Sequence, residues 1–114
     1  MTSSFSLLPH HRLRAFETSL RLLRAVRAAG IRDRVLRDQA VRAAKSVCLN
    51  IAEGAGRVTR ADKARAYAIA RGELTEALAA VEIAAATSDA RPGAAAPVLS
   101  VGNELYAVLS KLIA

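Results

Sequence analysis

Ser46-Val47-Cys48-Leu49-Asn50-Ile51-Ala52-Glu53-Gly54-Ala55-Gly56-Arg57 is the stretch whose reading decides the fold. An Asn and a Glu sit inside an apolar helical pattern that stops on two glycines and an arginine. At about 100° per residue, Leu36, Ala40, Ala43, Val47, Ile51 and Gly54 share one face, the core side of a helix. Gln39, Ser46, Asn50, Glu53 and Arg57 fall on a neighbouring stripe only about 60° wide. Ser46, Asn50, Glu53 and Arg57 are spaced i, i+4, i+7 and i+11, so each can reach the next along the helix. An amide at the edge of a core needs partners, because a buried unpaired amide costs about 1–3 kcal/mol. Gly54 and Gly56 suit a tight helix exit or close approach by another backbone. The stripe therefore reads in two ways: it sets bundle geometry and the turn that follows, or it is a contact surface for a ligand or nucleic acid.

Outward from this helix the chain reads as four helical stretches, with no period-2 pattern to compete. The first is predicted from about His11 to Ala29, with Leu13, Phe16, Leu20 and Leu23 on its apolar side and Gly30 as its stop. The second starts at an Asp33 N-cap and ends at Gly54 or Gly56. The third follows Thr59, takes Asp62 in its first turn and runs to about Thr87. Ser88-Asp89-Ala90-Arg91-Pro92-Gly93 is a loop, and the fourth runs from about Pro97 to Ile113. Long helices on short connections favour antiparallel neighbours, so the expected fold is an all-α, up-down-up-down four-helix bundle. One such domain spans 1–114, with 1–10 expected as a loosely ordered N-terminal arm.

A chain of 114 residues supports one modest core. With 53% hydrophobic and 24% charged residues it is globular rather than disordered. Aromatics are 4% and Trp is absent, while Ala is frequent along the second and third stretches. Such helices pack closely but bury little area each, which favours self-association. No apolar run approaches the roughly 18 residues of a membrane span. The first residues lack the pattern of a signal peptide, so a cytoplasmic protein with no membrane partner is expected. Cys48 is the lone cysteine and cannot form an internal disulfide; mid-helix among apolar neighbours, it reads as a small buried hydrophobe.

The net charge of +7 is unevenly placed. Residues 1–60 hold twelve Lys and Arg against four Asp and Glu; residues 61–114 hold five against six. That asymmetry points to an anionic partner, nucleic acid before a membrane surface, although a solvated arginine-rich face has the same composition. The candidate phosphate contacts are Arg14, Arg21 and Arg24 on the first helix and Arg34, Arg42 and Lys45 on the second. Each triple spans an arc of roughly 100–140°. With few aromatics to stack on bases, sequence discrimination would be weak and salt dependence steep.

The third helix is apolar on two sides. Tyr67, Ala70, Leu74, Leu78, Val81 and Ala85 form the expected core face. Ile69, Gly72, Glu76, Ala79 and Ile83 lie opposite, with Arg65 at the start. One small bundle does not need that second face. Gly72 costs about 1 kcal/mol against Ala in mid-helix, so it reads as a place of close helix contact. Ile69, Gly72, Glu76 and Ile83 are the candidate subunit interface.

Catalysis finds little support. A di-metal carboxylate bundle needs inward Glu-x-x-His pairs. The only histidines, His10 and His11, are adjacent at the chain start, and Glu73 with Glu76 forms a Glu-x-x-Glu pair with no histidine near it. No phosphate loop or nucleophile constellation is present. The expectation is a non-enzyme without cofactor or metal.

The core Asn50-Ile51-Ala52-Glu53-Gly54, with Gln39, Arg42, Ile69-Ala70-Arg71-Gly72 and Glu76, resembles the 23S ribosomal RNA intervening-sequence proteins, a four-helix-bundle family named for where its genes lie. The resemblance runs from about Leu36 to Leu78, with looser agreement in the flanks. It departs at Glu73, where Ser commonly follows the Gly, and at Cys48, where Pro is common. The resemblance implies a four-helix bundle and ring-like homo-oligomers, often pentamers. The leading expectation is a non-enzymatic basic oligomer that binds RNA or a ribonucleoprotein through its arginine-rich N-terminal half. The alternative is a protein-interaction scaffold or accessory subunit, for example for a reverse transcriptase. A related bundle family plays that part in diversity-generating retroelements; it is similar in fold and charge but not in the Asn-Ile-Ala-Glu-Gly signature.

Overall fold

Short connections force each helix to run back along the one before it. The computed structural model describes residues 8–114, in which α1 (Arg14–Ala28), α2 (Arg34–Gly56), α3 (Arg60–Ala86) and α4 (Ala95–Ile113) pack in sequence order. α1 closes against α4, and α2 with α3 forms the most extensive pair. The result is an antiparallel up-down-up-down four-helix bundle. Most of the expected N-terminal arm, residues 1–7, lies outside the described residues. Among the described residues, no helix is long and apolar enough to cross a membrane.

Local chemistry sets the helix starts. Asp33 caps α2 by accepting the Leu36 N–H at 3.1 Å, and Thr59 caps α3 by accepting the Asp62 N–H at 3.0 Å. α2 continues through Gly54 to Gly56, and α4 begins two residues before Pro97. The first helix differs from expectation. Pro9–Arg12 forms a separate 3-10 turn, and extended Leu13 (φ −97°, ψ 116°) divides it from α1. That turn brings the His10 and His11 rings to 4.2 Å, with His10 edge-on to Phe16 at 4.8 Å. The two histidines therefore do sit together, outside α1.

The buried stripe of α1 is also shifted. Ala15, Thr18, Ser19, Leu22 and Val26 are buried, while Leu13, Phe16, Leu20 and Leu23 are half-buried at the seams. Small residues let α1 approach its neighbours, and the larger ones cover the edges of the contact. The two buried hydroxyls are satisfied within the helix: Thr18 donates to the Arg14 carbonyl at 3.1 Å and Ser19 to that of Phe16 at 2.6 Å. On α3 the buried face holds Tyr67, Ala70, Leu74 and Val81 as expected. Leu78 is half-buried and Ala85 exposed, with Ala84 taking the inward place.

Two connections tie one end of the bundle. Gly30 turns the chain after α1 at φ 67°, a left-handed conformation that favours glycine. The Arg32 N–H then donates to the Asp89 carbonyl at 2.9 Å and the Arg91 N–H to the Ala29 carbonyl at 2.8 Å. The Asp33 N–H donates to the Asp89 carboxylate at 2.9 Å.

Cys48 is buried on α2 and its thiol donates to the Ser19 carbonyl at 3.4 Å. Burial pushes its pKa up, more than hydrogen bonding lowers it, and burial also raises that of Tyr67. The folded protein therefore keeps protons that the unfolded chain gives up. This contribution to stability is complete below about pH 8.5, the unfolded thiol value, and is lost as pH rises through the raised folded values. Melting temperature is expected to hold from about pH 7 to 8 and to fall above about pH 9. Cys48→Ala should remove the thiol's share of that fall, and a melting temperature that climbs over the same interval would refute the assignment.

Candidate nucleic-acid interface

All six predicted phosphate contacts are exposed, but they are not electrostatically equivalent. On α1, Arg14 and Arg21 turn toward α4, where Glu104 lies 3.7 Å from one and 3.4 Å from the other. On α2, Arg42 reaches Glu73 at 3.7 Å and Glu76 at 2.5 Å on α3. Two guanidiniums share one carboxylate in the first cluster; one guanidinium meets two in the second. Arg24, Arg34 and Lys45 have no ion-pair partner among the described residues. Exposed pairs of this kind contribute only about 0–1 kcal/mol each, so a phosphate can compete for these guanidiniums. The Arg42 cluster carries net negative charge and is the least suited of the six positions to an anion. Spacing along α2 does not reveal this, because both carboxylates come from another helix.

The polar stripe of α2 resolves into separate local pairs. The Asn50 amide donates to the Ser46 carbonyl at 2.9 Å and to the Ser46 hydroxyl at 3.1 Å, within its own helix. Arg57 donates to Glu53 one turn away, and that carboxylate raises the pKa of the exposed guanidinium. No hydrogen bond links Asn50 to Glu53 among the described residues, and Gln39 stands exposed. Gly54 is approached by a side chain rather than a backbone. A Cβ there would lie 2.6 and 2.9 Å from two atoms of the Tyr67 ring of α3. Gly56, by contrast, has open space around it. Lys63 finishes the α2 terminus by donating to the Ala55 carbonyl at 2.9 Å, with the Gly54 carbonyl at 3.4 Å. The motif thus joins α2 to α3.

The outer face of the α2–α3 pair carries exposed apolar side chains. Ile69 is 45% and Ile83 53% exposed on α3, and Leu49 is 71% exposed on α2. Gly72 lies on this face with nothing within 4 Å of a built Cβ, so among the described residues no element makes the close contact expected there. Glu76, placed at the same face, is held sideways by Arg42. Several further partners were not legible from spacing: Glu104 for α1, the Arg32–Asp89 pair at 3.6 Å, and Arg60 donating to the Ala114 carbonyl at 2.5 Å. Each joins residues more than fifty positions apart.

Fold and surface together define a basic, antiparallel four-helix-bundle protein. A family model described as 23S rRNA-intervening sequence protein matches residues 13–111, and the chain belongs to that family. The match covers all four helices rather than only the Leu36–Leu78 region that carries the motif. Among curated proteins nothing matches the chain.

Proposed function

We propose that this protein is a non-enzymatic RNA-binding oligomer, acting through the cation-rich surface of α1 and α2 in the cytoplasm. The observation that carries the reading is the exposure of the excess positive charge. Arg14, Arg21, Arg24, Arg34 and Lys45 stand on the outside of two adjacent helices, and the first two share a single carboxylate. Neutralising phosphates there releases condensed counterions, which supplies affinity without sequence readout. The other surface supports self-association. Ile69, Gly72 and Ile83 with Leu49 form an apolar face that a thin, alanine-rich bundle gains by covering, and a ring of copies, pentameric as in the resemblance, would repeat the cationic surface.

The same apolar face supports a second reading, in which it holds a different protein and the bundle serves as an accessory subunit. Purification from the native host without nuclease separates the two, with mass taken by light scattering and co-purifying nucleic acid identified. The RNA reading expects an oligomer carrying RNA. A protein partner retained after nuclease treatment would favour the second reading, and a monomer free of nucleic acid would defeat the first.

A further inference from the structure

The groove where α1 meets α2 gathers cations that helical arcs do not single out. Arg27 at the end of α1, Arg32 in the connection and Arg37 on the first turn of α2 surround an opening of about 570 Å³. Half-buried Val41 is its accessible apolar side chain, with Val26 and Ile31 buried beneath, and Asp38 is its one carboxylate among the described residues. Arg37 lies 3.8 Å from Asp38, its neighbour in sequence, and Arg27 has no ion-pair partner among the described residues. Arg32 is fixed by Asp89 and by the Ser88 carbonyl, so it stands in place before any ligand arrives. An adjoining depression shares Asp38 and Val41 and adds Lys45, which extends the cationic rim along α2.

We propose that this groove holds an unpaired nucleotide of the bound RNA, with the base against Val41 and between the guanidiniums that line the groove, and its flanking phosphates on Arg27 and Arg37. The inference rests on the RNA-binding reading and sharpens it. Phosphates alone need only exposed cations, as on the outer face of α1. A groove that combines an apolar lining with guanidiniums matches a splayed base joined to its phosphates, and guanidinium planes offer stacking where aromatics are lacking. The volume lies in the range of small-ligand pockets, roughly 300–1,000 Å³. A fully paired A-form duplex keeps its bases stacked and cannot fill the groove.

The test is fluorescence anisotropy with two labelled RNAs of equal length, a hairpin with a bulged nucleotide and a fully paired duplex. It compares the wild-type chain with Arg27→Ala/Arg37→Ala and with Arg14→Ala/Arg21→Ala. All four positions are exposed, and far-UV circular dichroism checks that each variant is folded. Wild type is expected to prefer the bulged RNA by about tenfold. The groove variant should lose that preference, with a salt slope smaller by about 1.4 for two lost phosphate contacts. The Arg14/Arg21 variant should keep the preference. Equal binding of both RNAs by wild type, or an undiminished preference in the groove variant, overturns the groove assignment and leaves RNA binding standing. Absence of any binding at low salt overturns both.

Discussion

Gly54→Val is expected to lower stability by about 2–3 kcal/mol, the cost of overpacking a filled contact. The Tyr67 ring covers Gly54 so closely that even a Cβ would sit 2.6 Å from it. Tyr67 is buried and planar, so it cannot fold aside as a flexible chain end can. A helix interior gains only a few tenths of a kcal/mol from Gly to Val, far less than the clash costs. For a domain of this size the loss corresponds to a fall of roughly 8–15 °C in melting temperature. In a Tyr67→Ala background the added penalty should shrink by more than half, which a double-mutant cycle reads directly. Equal penalties in the two backgrounds would mean that the ring is not what excludes a side chain.

Leu74→Ala is expected to cost about 3–4 kcal/mol, in the middle of the range for buried leucines. The core is built largely of alanine, and its largest fully buried side chains are few: Leu22, Ile51, Leu74, Leu105 and Leu109. Helices held by so few large groups leave little freedom to collapse around a cavity. Total stability of about 5–15 kcal/mol makes such a loss a large fraction of the whole. Leu49→Ala is the informative contrast, since that side chain is 71% exposed. It should change the melting temperature of dilute protein little and weaken self-association seen by light scattering. Comparable destabilisation by both substitutions in dilute solution would place Leu49 in a core that the structure does not show.

Much of the fold was legible because it depends on local signals. Asp33 and Thr59 announce their helices by residue type, and the apolar spacing of α2 places Ala40, Ala43, Val47 and Ile51 inside. On α1 the apolar spacing picks out Leu13, Phe16 and Leu23, which do pack against the core but only half-buried. Close packing selected Ala15 and Ser19 instead and pushed Phe16 and Leu20 to the seams. Gly54 was recognised as a point of close approach, but the approaching group is a ring from α3, which no pattern within α2 specifies. The candidate surface was half legible for the same reason. Exposure of Arg14, Arg21 and Arg42 follows from helical position, whereas their carboxylates, Glu104, Glu73 and Glu76, come from helices distant in sequence. Arg27 and Arg37 belong to different helices and meet only through the turn at Gly30.

The central claim is that the cations of α1 and α2 bind RNA phosphates. It is tested most directly by titrating the wild-type protein with a structured RNA at a series of salt concentrations between about 50 and 300 mM. Three or more phosphate contacts predict that affinity falls by about a hundredfold or more across that range, linearly in the logarithm of salt. Affinity that stays level across the series, or no binding at its low-salt end, would contradict the claim.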